Sequence, residues 1–89
     1  MEFEFDQAKS LSNQAKHGIS FHEAQKLWDD PFRVVIPAIT VDEARFAIVA
    51  TWSSKLWTEI FTHRGTSTRI ISVRRARPEE KELYESPGF

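Results

Sequence analysis

The chain has 89 residues, no cysteine, 40% hydrophobic residues including three Trp and seven Phe, 28% charged residues and a formal net charge of −1. That length fits one domain with one core, the composition excludes a disordered chain, and the lack of cysteine excludes disulfides and thiolate metal sites. No apolar run approaches the roughly 20 residues of a membrane span, and Met1–Asp6 has neither a basic nor an apolar leader region, so the expectation is a soluble cytoplasmic protein with a single domain over residues 1–89.

Phe3 and Phe5 alternate with Glu2, Glu4 and Asp6, which predicts a short first strand ending at a helix N-cap, Asp6. The helix that follows over Gln7–His17 has Ala8, Leu11 and Ala15 on its apolar face, a cationic last turn in Lys16-His17, and Gly18 at C′. Ser20-Phe21-His22-Glu23 matches a capping box, so a second helix starts at once and buries Phe21, Ala24, Leu27 and Trp28 before Asp29-Asp30-Pro31 closes it. The period then changes to two, and four strands are predicted over Phe32–Ile36, Arg45–Trp52, Leu56–His63 and Arg69–Arg75. Ser53-Ser54 and the stretch Arg64 to Thr68 are tight connections and Pro37–Glu43 is a looser turn, which makes an antiparallel meander the economical topology. Pro78 sits at a first helical position, Glu79 and Glu80 suit the positive helix start, Leu83 and Tyr84 form an apolar edge, and Pro87-Gly88 ends the element. This order predicts an α+β fold: an antiparallel sheet of four main strands plus a short N-terminal strand, with two N-terminal helices and one C-terminal helix packed on a sheet face.

The near-zero total charge hides a local excess. Residues 64–77 contain five arginines, Arg64, Arg69, Arg74, Arg75 and Arg77, and no Asp or Glu, while residues 1–63 hold six Lys and Arg against nine Asp and Glu. Arginine grips phosphate with a planar, permanently charged fork, so this stripe fits a polyanion. The competing reading is a solvated strand face salt-bridged to the acidic remainder.

Phe3-Glu4-Phe5-Asp6, Lys9, Asn13, Lys16-His17-Gly18-Ile19-Ser20-Phe21 and Asp30-Pro31 resemble the opening of the BrnT toxins. Glu43, Arg45, Thr62, Arg64, the run Arg69 to Ala76, Glu80 and Tyr84 resemble that family's second half in the same order. The resemblance implies a RelE-like small ribonuclease toxin of a type II toxin–antitoxin pair. Its antitoxin would be BrnA, with a ribbon-helix-helix DNA-binding domain, and the complex would repress its own operon, touching operator DNA only through the antitoxin. Phe5 replaces the family's common Trp, Arg77 stands where a small hydroxyl residue is usual, and Lys81 replaces a frequent Arg.

RNA cleavage by 2′-hydroxyl attack needs a proton acceptor, a proton donor and positive charge around the developing phosphorane. The carboxylates are scattered, so a metal-independent reaction with no cofactor is expected rather than a two-metal nuclease. Strict alternation on the last strand places Ile70, Ser72 and Arg74 on one face, which is expected to be the open one, and Arg69, Ile71, Val73 and Arg75 on the other. Arg64, Arg74, His17 and Tyr84 are the candidate catalytic residues, and Lys16, Arg69, Ser72, Arg75 and Arg77 the candidate RNA-binding ones. His17 is read either as a proton carrier or as a structural cation at its helix C-terminus, and Lys16 shares that ambiguity. Trp52 and Trp57 flank the Ser53-Ser54 turn and are read either as half-exposed antitoxin contacts or as cross-strand packing. Two alternatives remain: a non-catalytic module that binds nucleic acid or antitoxin through the same arginines, and a metal enzyme using His17, His22 and His63, whose spacing is incoherent for ligation.

Overall fold

A computed structural model describes residues 1–40 and 42–86. Five strands form one sheet: β1 (Glu2–Glu4), β2 (Val34–Pro37), β3 (Phe46–Trp52), β4 (Lys55–Arg64) and β5 (Ser67–Arg75), in spatial order β1-β5-β4-β3-β2. The last four make the expected antiparallel meander. The sheet is mixed rather than antiparallel, because β1 joins the outer edge of β5 in parallel, pairing Phe3 with Thr68. The expected α+β class therefore holds, with the expected short N-terminal strand built into the sheet as its fifth member.

Helix α1 (Gln7–His17) starts at Asp6, whose carboxylate accepts the N–H groups of Ala8 and Lys9, and stops at Gly18, held at φ 81°. Its buried face is not the expected Ala8-Leu11-Ala15 stripe: Ser10 and Asn13 are buried, and Leu11 is 60% exposed. These polar side chains satisfy backbone groups that the fold would otherwise strand. Ser10 Oγ accepts the N–H of Phe21, Asn13 Oδ1 accepts the N–H of Val73 beyond the end of β1, and Asn13 Nδ2 donates to the carbonyl of Ile19.

The second helix carries the expected Ser20–Glu23 capping box but is shorter than its apolar pattern suggests. It runs over Phe21–Ala24 as α2 and continues as a 3₁₀ turn over Gln25–Asp29. Ile19, Phe21, Ala24 and Leu27 pack on Ile48, Ala50, Phe61, Ile70 and Val73 to form the core, with Trp28 at its margin. The third helix, α3 (Pro78–Glu85), lies on the opposite face of the sheet, not with the other two. It has no buried residue, so polar contacts decide its position. The expected stop at Pro87-Gly88 lies outside the described residues.

Both tight turns of the meander are visible in backbone angles. Ser53 and Ser54 have φ of 54° and 63°, the two-residue pattern of a type I′ hairpin, while Gly65 alone takes positive φ in the β4–β5 turn.

Candidate nucleic-acid interface

Residues paired across two strands share a face of the sheet. Along β5, Arg69 pairs with Thr62, Ser72 with Ile60 and Arg74 with Thr58, whereas Ile70 pairs with Phe61, Val73 with Glu59 and Arg75 with Trp57. The register slips between Ile60 and Phe61, leaving Ile71 as the extra residue of a β-bulge. Strict alternation therefore fails at this point. Arg69, expected beside Val73 and Arg75, lies instead on the face of Ser72 and Arg74, and Ile70 moves to the helix-covered core. Arg64 belongs to the same β4 face as Thr58, Ile60 and Thr62, so Arg64, Arg69 and Arg74 stand along one side. Arg75 is on the other, with its guanidinium carbon 5.5 Å from the centroid of the Trp57 ring.

These arginines are not bare. Arg74 forms a two-pronged pair with Glu80, Nη1 to Oε1 at 2.7 Å and Nη2 to Oε2 at 2.9 Å, and its Nη1 also donates to the Arg75 carbonyl. Glu80 additionally accepts from Thr58 Oγ1 and from the N–H of Arg77, the residue preceding α3. The Arg74 fork, helped by the Arg77 and Thr58 donors and opposed by partial burial, holds the Glu80 carboxyl down to about 2. The same contact raises the pKa of Arg74. Arg64 sits 3.7 Å from Glu43 and Arg69 4.0 Å from Glu4. Exposed pairs of that length contribute about 0–1 kcal/mol, so a phosphate can replace them, whereas the Arg74–Glu80 pair is part of the fold. The salt-bridged reading of the stripe is thus realised at three of its members.

Beside the bulge, α1 and the outer edge of β5 enclose a cleft of about 210 Å³ whose lining includes Lys9, Ser12, Lys16, His17 and Ser72. It brings Lys16, His17 and Ser72 of the sequence-derived set together and adds Lys9. Lys9 is seven residues before Lys16, and that spacing on one helix face was a signal available in the sequence. Ser72 is the cross-strand partner of Ile60, which lines a second, larger cavity of about 350 Å³ on the α3 side, together with Arg45, Arg74 and Glu80. Arg45 Nε is buried there without a hydrogen-bond partner. The sequence marked Arg45 through the family resemblance but gave it no role at the site.

Tyr84 stands apart from these basic groups. Its hydroxyl donates to Asp30 Oδ2 at 2.6 Å and meets Thr51 Oγ1 at 2.7 Å, which ties α3 to β3 and to the end of the 3₁₀ turn. Burial opposes ionisation of Asp30, but the donors of Thr51, Tyr84 and Phe32 outweigh it and hold that carboxyl at about 2. Burial and the Asp30 contact push the Tyr84 phenol up. His63 packs against Phe46 and Phe61, with centroids 5.3 and 5.6 Å away, and His22 against Phe5 at 4.8 Å. Among the described residues no three His, Cys, Asp or Glu side chains gather as a metal site.

The hairpin tryptophans divide. Trp57 is buried to 3% exposure and donates its indole N–H to the Trp52 carbonyl, so it is a core residue rather than a half-exposed one; Trp52 is half-buried.

The model of the ribonuclease toxin family BrnT, of type II toxin–antitoxin systems, matches residues 5–80. The chain belongs to this family. The match runs from just after β1 into the first turn of α3 and bears out the resemblance carried by the Lys16-His17-Gly18 and Arg69 to Ala76 runs. Among curated proteins no match to the chain was found. For a BrnT toxin the two clefts and the arginine-bearing sheet face are the candidate features.

Proposed function

We propose that this chain is a metal-independent endoribonuclease toxin whose RNA crosses the open sheet face beside the β5 bulge. The observation that carries the reading is that the bulge brings Arg69 onto the face of Arg64, Ser72 and Arg74, and that Ser72 also lines the cleft holding Lys9, Lys16 and His17. Arg64 and Arg69 hold phosphates by exchanging their long carboxylate contacts for RNA oxygens. At the scissile linkage, the 2′-oxygen attacks phosphorus, the P–O5′ bond breaks, and a 2′,3′-cyclic phosphate remains. His17 takes the 2′-hydroxyl proton, Lys16 supplies a proton to O5′, and Lys9 with Arg69 and Arg74 stabilises the phosphorane. Tyr84 acts by positioning α3, and Arg75 and Arg77 give outlying electrostatic attraction. We further propose that the fold is RelE-like, that the protein works in the cytoplasm, and that a BrnA-type ribbon-helix-helix antitoxin neutralises it and represses the shared operon.

The test is cleavage of end-labelled RNA by purified protein in excess EDTA. Arg69→Ala and His17→Ala are expected to slow cleavage at least tenfold, about 1.4 kcal/mol of barrier each, with unchanged melting temperatures, and a 2′-deoxy substitution at the cut site should abolish it. Loss of all activity in EDTA would sink the metal-independent chemistry.

A second reading is a binding module without turnover. It is favoured by the carboxylate partner found beside each of Arg64, Arg69 and Arg74. That reading expects RNA or antitoxin to bind with a steep salt dependence while no product forms.

A further inference from the structure

The cavity on the α3 side differs in chemistry from the basic cleft beside α1. Its wall is aliphatic, with Ile36, Pro37, Ile39 and Ile60, and its two cations, Arg45 and Arg74, face a single carboxylate, Glu80. Three donors of Arg74 are already engaged within the protein. Arg45 has a buried Nε–H with no acceptor, and a buried unsatisfied donor on a charged group is costly. The cavity is therefore one negative charge short. The rim is apolar as well: Ile39 is 85% exposed, and β2, which supplies Ile36 and Pro37, is the outermost strand of the sheet, its far edge unpaired among the described residues.

RNA fits such a lining poorly. Unpaired bases stack on aromatic rings or free guanidinium planes; among the described residues no aromatic one lines this cavity, and the Arg74 fork is tied to Glu80. A polypeptide segment fits it well, because an aliphatic or aromatic side chain fills the Ile-Pro wall and an adjacent Asp or Glu completes Arg45. We infer that this cavity, between the unpaired edge of β2 and α3, is the docking site for an apolar-acidic segment of the antitoxin, with a carboxylate seated on Arg45. The inference rests on the reading of the chain as a toxin with an antitoxin partner, and it moves the contact away from the Trp52–Trp57 hairpin, where Trp57 is buried.

The experiment uses the full-length toxin and the full-length antitoxin encoded beside it, with affinity measured by titration calorimetry and RNA cleavage measured in parallel. Ile39→Glu places a like charge against the incoming acidic segment on a fully accessible loop. It is expected to weaken antitoxin binding at least tenfold while cleavage of free RNA and the melting temperature stay unchanged. Arg45→Gln is expected to weaken binding similarly and to flatten its salt dependence. In the wild-type complex the Arg45 Nε–H resonance should shift on antitoxin addition. The proposal is overturned if a folded Ile39→Glu variant binds antitoxin within twofold of wild type, or if Trp52→Ser alone disrupts the complex. It is equally overturned if Arg45→Gln weakens RNA binding and leaves antitoxin binding intact, which would make the cavity an RNA subsite. Failure of the wild-type toxin to bind the antitoxin at all would remove both this inference and the toxin–antitoxin reading, whereas the preceding outcomes leave that reading standing.

Discussion

Arg74 shows how a single side chain is divided between fold and function. Of the five N–H donors of a guanidinium, three are used internally, two on Glu80 and one on the Arg75 carbonyl, which leaves Nε and one Nη2 hydrogen for a ligand. Glu80→Gln keeps the shape of the contact and removes the opposing charge. The loss of a charge-assisted, partly buried pair is expected to lower stability by about 1–3 kcal/mol, read as a lower urea midpoint. RNA affinity at low salt, read by fluorescence anisotropy, should rise, because the face then carries one more uncompensated positive charge. A drop in affinity would instead mean that Glu80 is needed to orient the fork. Sequence alone supplied the arginine and the glutamate but not their pairing, since six residues of separation across a strand end give no periodic signal.

Elements reveal where the pattern in the sequence stops being informative. Helix caps, strand number in the meander and both tight turns were legible because each rests on local chemistry: Asp6, Gly18, the Ser20–Glu23 box, and the polar breaks at Ser53-Ser54 and Gly65. The faces of β5 were not legible, because the bulge at Ile71 lacks the glycine that often marks one, and a single extra residue inverts every side chain on one side of it. The side taken by α3 was hidden for another reason. The Glu80 and Tyr84 contacts, not an apolar stripe, hold it in place. One element-scale expectation follows from the β3–β4 hairpin, whose two serines both occupy left-handed backbone at a cost of about 1 kcal/mol or more each. Replacing Ser53-Ser54 by Asn-Gly, the pair suited to a type I′ turn, is expected to stabilise the protein by about 1 kcal/mol and raise Tm by about 4–8 °C. Differential scanning calorimetry of the double variant checks this, and no rise would contradict the turn geometry.

For the whole molecule, three carboxyl groups set opposing limits on stability. Asp30 and Glu80 titrate near about 2 in the folded protein against ordinary values of 3.8 and 4.5, so their contribution is complete above about 4.5 and is lost as pH falls toward about 2. Glu59 works in the opposite direction. Buried in the core, with one oxygen accepting from the Trp28 indole and the other unpartnered, its carboxyl is pushed up to about 8 by burial, which the Trp28 bond only partly offsets. The unfolded chain releases this proton near 4.5 while the folded one keeps it, so stability declines as pH rises from about 4.5 to about 8. Thermal melts are expected to peak near pH 4.5–5, and Glu59→Gln should remove the alkaline decline while leaving the acid limb in place. An unchanged alkaline limb in that variant would assign the decline to another group.

The parallel ladder between Glu2–Glu4 and Ser67–Arg69 joins the first strand of the sheet to the last. During synthesis, the first strand emerges from the ribosome with no partner and waits until more than sixty residues later before its neighbour appears. A nascent fragment that lacks β5 also lacks Arg69, Ser72 and Arg74. On the proposed chemistry, a translation product that stops before β5 is thus harmless.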